Sequence, residues 1–184
     1  MDTRTVEEIR RCFTASSDFN EIFDAFEVAV KNRLNDVELY RQLFWNSSLT
    51  ADEIRLFGEK LAVEFPETKY DIYCWLASVF EVTYATNDNY DLAFYYFQRA
   101  AEARPAEQDP YLDACDCYDP DLNVPPLQNL IDFLKSGLKH VTHPKALYKR
   151  LAYFYELAGD AEKAEECHRE ADRLDQLHSP DSSA

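Results

Sequence analysis

Tyr148-Lys149-Arg150-Leu151-Ala152-Tyr153-Phe154-Tyr155, followed by Gly159-Asp160 and then by Ala164, His168 and Ala171, is the stretch that decides the fold. An aromatic, a Leu-small pair and a second aromatic fall at helical spacing, a Gly-Asp turn follows, and small residues recur at the spacing of a second helix. The same frame stands upstream: Tyr73, Leu76, Ala77 and Phe80, then Ala93, Phe97 and Ala100, closing on Pro105 where the chain must turn. Looser copies begin at Tyr40-x-x-Leu43-Phe44 and at Tyr111-x-x-Ala114-Cys115-x-x-Tyr118. The four anchor tyrosines lie 33, 38 and 37 residues apart. Val6-x-x-Ile9-x-x-Phe13 begins 34 residues before Tyr40, with Arg10 at the small position, and is either a fifth copy or a cap. Recurrence at this period predicts helix pairs that cannot bury their apolar faces alone and must stack.

On these residues the chain resembles the tetratricopeptide repeat family, whose unit is a 34-residue helix-turn-helix with an aromatic, Leu-small, aromatic, Ala, aromatic, Ala, Pro pattern. The Tyr148 and Tyr73 copies match it closely. The Tyr40 copy carries bulky Phe44 at the small position, and the Tyr111 copy has Ala114 in place of Leu. The resemblance implies an all-α, right-handed superhelical stack of about five antiparallel helix pairs. Small residues such as Ala77 and Ala152 let helices approach, while Tyr73, Phe80, Phe97, Tyr148 and Tyr155 fill the space between them, with Leu76, Leu151, Ala93, Ala100, Ala164 and Ala171 completing the packing set.

Local signals divide the chain accordingly. Thr50 with Glu53 reads as a capping box that opens a helix carrying Ile54, Phe57, Leu61 and Phe65 and stopping at Pro66, and Asp18 with Glu21 carries the same signal. Pro110, Pro125-Pro126 and Pro144 stand at or near first helical turns, where the missing N–H is harmless. The predicted pairs cover residues 4–34, 36–66, 69–104, 109–141 and 144–177 of one domain spanning 1–177, with a flexible tail over 178–184. An extra turn over Thr83 to Asn89 and an irregular link from Asp119 to Val124 are candidate partner contacts, since insertions in repeat arrays map to loops.

Composition agrees with a single helical domain. Of 184 residues 46% are hydrophobic and only 3 are Gly, so long helices are not interrupted and strands are not expected. The 12 Tyr and 12 Phe against 2 Trp and 1 Met predict a core of large rings set against small residues. The formal charge of −16 disfavours nucleic acid and acidic membrane surfaces, whose binding needs Lys and Arg. Residues 71–123 hold 11 Asp plus Glu against 2 Arg, hence −9, so the middle of the chain would attract a basic partner, or serve general solubility. The first residues carry no apolar signal core, the longest uncharged run, Ile72 to Phe80, is too short to span a bilayer, and five irregularly spaced cysteines suggest reduced thiols. A cytoplasmic protein is expected.

Catalytic patterns are missing: no Gly-rich phosphate loop, no His-Glu-x-x-His helix and no Gly-x-Ser-x-Gly elbow. Cys115-x-Cys117 has the wrong spacing for zinc and lacks a second pair, and Cys115 sits at the small-residue position of its repeat. Asp119-x-Asp121-x-Asn123 begins like a calcium loop but has Val124 and Leu130 where Gly and Glu belong. No enzyme activity, cofactor or metal is expected. The resemblance implies a concave groove lined by the first helix of each pair, here Arg41 and Trp45, then Cys74, Ser78 and Glu81, then Leu112 and Asp116, then Lys149, Tyr153 and Glu156. The clamp asparagines of carboxylate-gripping members are missing from these positions. The expected role is an adaptor holding a peptide or protein segment, with the acidic middle favouring a basic one; a self-assembling dimer module is the alternative, and a metal or thiol protein using Cys115 and Cys117 is third.

Overall fold

The structure, a computed structural model, describes residues 4–83 and 87–178. The extra turn expected over Thr83 to Asn89 falls partly outside these residues, and the tail from 179 onward lies wholly outside them. Ten α-helices carry the described chain: α1 Val6–Ala15, α2 Phe19–Lys31, α3 Val37–Phe44, α4 Ala51–Glu64, α5 Lys69–Thr83, α6 Asn87–Ala103, α7 Asp109–Asp113, α8 Leu127–Gly137, α9 Lys145–Leu157 and α10 Ala161–His178. Short 3-10 turns precede α5 at Pro66–Thr68 and follow α7 at Ala114–Cys117. Among the described residues the only extended pairing is an isolated bridge between Asp119 and Val124.

Helix starts follow local chemistry. The Thr50 side chain accepts from the Glu53 N–H while Glu53 reaches back to the Thr50 N–H at 2.7 Å, as the sequence predicts. Thr5 and Glu8 build the same box at α1. Asp18 caps α2 differently from expectation: it accepts from the Asn20 N–H at 2.9 Å, while Glu21 is drawn to the Ser16 hydroxyl at 2.6 Å and never closes a box. Gly159, at φ +75°, takes the left-handed position that ends α9, a conformation any side chain would strain.

Residue contacts cluster into two units, one through Ala100 and one from Ala101. In the first, α1 packs on α2 and α3, α3 packs on α4 and α5, and α4 lies along α5, so first helices of successive pairs touch. Its core is aromatic: Phe26 and Phe57 stand 4.7 Å apart, and Tyr40 sits among Phe13, Phe26 and Phe65 at 6.1 to 6.2 Å while its hydroxyl donates to the Leu34 carbonyl at 2.7 Å. Further along, Tyr96 of α6 packs on Tyr73 and Phe80 of α5 at 5.8 and 5.7 Å. Tyr73, Leu76, Ala77, Phe80, Ala93, Phe97 and Ala100 are all buried.

In the second unit α9 packs on α7, α8 and α10. Gly137 lets α8 press against its neighbours, since a Cβ there would lie 2.8 Å from Leu147 and 2.9 Å from Tyr111. Leu151, Ala152, Ala164 and Ala171 are buried, whereas Tyr148 and Tyr155 are half-buried. The first helix of the 109–141 pair is shorter than the sequence suggests. α7 lasts five residues and tightens into the 3-10 turn, and Tyr118 is already extended. Pro120, one residue after Asp119, disfavours helix before it. Asp119 then accepts from the N–H groups of Asp121 and Leu122, and Asn123, at φ +52°, accepts from the Leu127 N–H at 3.0 Å. The Asp119 and Asn123 side-chain oxygens of the calcium-like stretch are therefore spent on turning the backbone.

Candidate interaction surface

The faces that first helices turn away from the core are the surfaces a repeat array can offer a partner. In the first unit Asp36 caps α3 by accepting from the Glu38 and Leu39 N–H groups, which fixes the phase of the helix. Leu39, Tyr40, Leu43 and Phe44 point inward, leaving Glu38, Arg41 and Trp45 outward. Arg41 pairs with Glu38 at 2.8 Å, and its guanidinium lies 5.0 Å from the ring centre of Trp75 on α5. Trp45 closes the helix and is 44% exposed. On α5, Cys74, Trp75, Ser78 and Glu81 are partly exposed, and the Ser78 hydroxyl turns back to the Cys74 carbonyl at 3.0 Å.

In the second unit Leu112 is half-buried on α7, and Asp116 on the 3-10 turn is bridged to Arg150 of α9 at 2.9 Å. Lys149, Tyr153 and Glu156 share the exposed side of α9, with Tyr153 48% exposed. Glu156 leans toward α10, where it meets His168 at 2.9 Å. The Asp113 carboxyl is pushed above the usual carboxylate range, mainly by burial and then by Asp109 and Asp116, with Arg150 opposing. The Cys115 thiol donates to the Tyr111 carbonyl at 3.2 Å, and burial pushes it up to about 12, so it stands as a neutral packing group. Cys117 is buried beside it. Among the described residues no group of three or more His, Cys, Asp or Glu side chains could hold a metal ion, and no helix is long and apolar enough to cross a membrane.

Trp75 and Arg150 are absent from the sequence-predicted lining, yet each makes the contact that ties one first helix to the next. A usable signal was present. Arg41 and Trp75 are 34 residues apart, and so are Asp116 and Arg150. In a stacked array a separation of one repeat places two side chains on adjacent first helices. Complementary residues one period apart are therefore expected to touch.

Solved structures of MamA share this architecture. One superposes with a TM-score of 0.57 over 97% of this chain and 98% of its own at 18% identity. A second gives 0.54 over 96% and 98% at 17% identity. MamA from Desulfovibrio magneticus RS-1 gives 0.51 over 94% of each chain at 16% identity. The fold is a TPR-like helical solenoid. No protein-family model matches the sequence, and no curated protein matches it.

Proposed function

We propose that the chain is a non-catalytic interaction module that holds a peptide or protein segment against the outward faces of its first helices. The observation carrying this reading is the exposure of Trp45 and Tyr153 on those faces, with Arg41 one helical turn before Trp45 and Lys149 one turn before Tyr153. Large aromatic rings are among the side chains that most often anchor interfaces. The lining mixes rings with both charges, which suits a partner segment that alternates apolar and charged residues. The overall charge of −16 favours a segment that is basic.

The test is affinity capture from native cell extract at low and moderate salt, with the wild type compared against a Trp45→Ala, Tyr153→Ala double variant. Loss of two anchor rings should weaken capture of a specific partner by about tenfold or more, with the far-ultraviolet circular dichroism unchanged. Undiminished capture by the double variant would remove the first-helix faces from the reading. Sensitivity of capture to moderate salt is expected if the partner segment is basic.

A further inference from the structure

Leu56 and Val63 stand on one side of α4, two helical turns apart, and are 51% and 75% exposed. Neither the helix nor the core explains that exposure. A β-branched Val in an exposed helix position gains no packing, and Lys, Glu or Gln would hold the helix better. Single apolar residues are ordinary on a surface, whereas a contiguous group marks a place where something docks. These two belong to a group. They wall a hollow along α4 with Arg55, and Arg55 also walls a second hollow, between α4 and α6, whose other lining is Asp91, Leu92 and Tyr95. The hollows share Arg55 and form one trough on the second helices of consecutive pairs.

One wall of the trough is fixed in advance. Tyr95 is 40% exposed, and its hydroxyl accepts from Arg99 Nη1, while Nη2 of the same guanidinium donates to the Tyr73 hydroxyl at 2.6 Å. An anchor held in place before contact loses little freedom when a ligand arrives. The charges around the trough are unequal. Arg55 pairs with Asp52 at 3.3 Å and Lys60 with Glu64 at 3.1 Å, so both cations are answered by acids of α4 itself. Asp91 has no hydrogen-bond or ion-pair partner among the described residues, and Glu59 shares Arg99, at 3.5 Å, with the two tyrosine hydroxyls. The charge left over is negative.

We propose that the α4/α6 trough docks an amphipathic helix of a partner protein, one that lays apolar residues on Leu56, Val63, Leu92 and Tyr95 and carries Lys or Arg beside them. Leu56 and Val63 are separated by two turns, about 10 Å, which a second helix laid alongside matches with its own residues at i, i+3, i+4 and i+7. Basic flanks follow from Asp91 and Glu59, the carboxylates with charge to spare. A second copy of this chain is a poorer occupant, because it would bring the same acidic rim, and a net charge of −16, against this one. The surface is on second helices and does not depend on the first-helix reading above.

The probe is an end-blocked peptide of leucine and lysine, roughly 18 residues long so that it can hold a helix, with leucines along one face and lysines beside them; a control peptide has glutamate for every lysine. Titrated into isotope-labelled protein, the lysine peptide should shift the methyl signals of Leu56, Val63 and Leu92 saturably in nuclear magnetic resonance spectra, and the glutamate peptide should not. Leu56→Gln with Val63→Gln should weaken binding, read by fluorescence anisotropy of labelled peptide, about tenfold or more, with the melting temperature kept, since both residues are exposed and Gln is a good helix former. Asp91→Asn should weaken it roughly twofold to fivefold at low salt. Trp45→Ala with Tyr153→Ala should leave it unchanged, which separates this surface from the first-helix faces. Shifts centred on the first helices, equal binding of the glutamate peptide, or full affinity in the Leu56→Gln, Val63→Gln variant would each overturn the proposal. So would sedimentation of the wild type as a dimer that this variant turns into a monomer, since a second copy would then be the occupant.

Discussion

Asn46 shows how one polar side chain can tie helices together inside an aromatic core. It is only 8% exposed, and both halves of its amide are used. Nδ2 donates to the carbonyls of Phe13 and Ser16, each at 2.9 Å, so it closes the C-terminal end of α1, while Oδ1 accepts from the Ser48 N–H and hydroxyl at 2.9 and 2.6 Å. Carbonyls at a helix end have no partners within the helix, and burying them without donors is costly. Asn46→Ala should therefore lower stability by about 2 kcal/mol, and Asn46→Asp by more, because a carboxylate oxygen would replace the donor that faces two carbonyls. Denaturant midpoints measure both. If Asn46→Asp matched the wild type at neutral pH, the donor assignment would be wrong. Nothing in the residues around Asn46 announces this role, because Phe13 and Ser16 are some 30 positions away and become neighbours only once α1 packs on α3.

At the scale of the element, a close approach of α4 to α5 is set by a glycine inside α4. A Cβ built on Gly58 would lie 2.4 Å from Leu76 Cδ1, and Leu76 is fully buried on α5 with little room to give. Helix propensity alone favours Ala over Gly by about 1 kcal/mol. Overpacking a tight core typically costs about 1–3 kcal/mol, so packing should win and Gly58→Ala should lower the melting temperature. In combination with Leu76→Ala the two losses should fall short of their sum, since the smaller side chain frees the space the new methyl needs. A Gly58→Ala variant that melts higher than the wild type would show that α4 and α5 are not in this register. What was legible beforehand was whatever is local: the Thr50 and Glu53 box, the stop at Pro66 and the anchor spacing each depend on residues a turn or one repeat apart. Asp18 does cap α2, as its signal predicts, but the box with Glu21 stays open because the Ser16 hydroxyl takes the Glu21 carboxylate. The truncation of α7 followed from Pro120 acting against an otherwise good aromatic frame. Tyr96 was hidden for another reason. Phe94-Tyr95-Tyr96-Phe97 is aromatic on every face, so periodicity cannot say which ring is buried, and Tyr95 is 40% exposed while Tyr96 is not exposed at all.

For the whole molecule the net charge of −16 sets a repulsion that every folded contact must overcome, and its pH dependence can be worked out in sign. Asp113 has a raised folded value, from burial first, so it favours the folded state when protonated and opposes it increasingly as pH rises through that value. Glu8, which accepts from the Thr5 N–H and hydroxyl, and Asp160, which accepts from Lys163, have lowered values; their contributions stand above the unfolded carboxylate range and are lost only as pH falls through the depressed folded values. Lowering the pH from neutral therefore moves Asp113 toward the protonated form that favours the fold, and the reversal comes only below about 4.5, where capping carboxylates begin to protonate. At low ionic strength the melting temperature should thus be higher at pH 5.5 than at pH 7.5. In 0.5 M salt, where charges more than about 4 Å apart are screened, the difference should shrink to the share of Asp113, and Asp113→Asn should remove that remainder by stabilising the protein at pH 7.5. Calorimetry at the two pH values and two salt concentrations, on wild type and Asp113→Asn, separates the terms. A wild type that is less stable at pH 5.5 than at pH 7.5 in low salt would mean that protonating Asp113 does not favour the fold, against the raised value that its burial and its acidic neighbours give it.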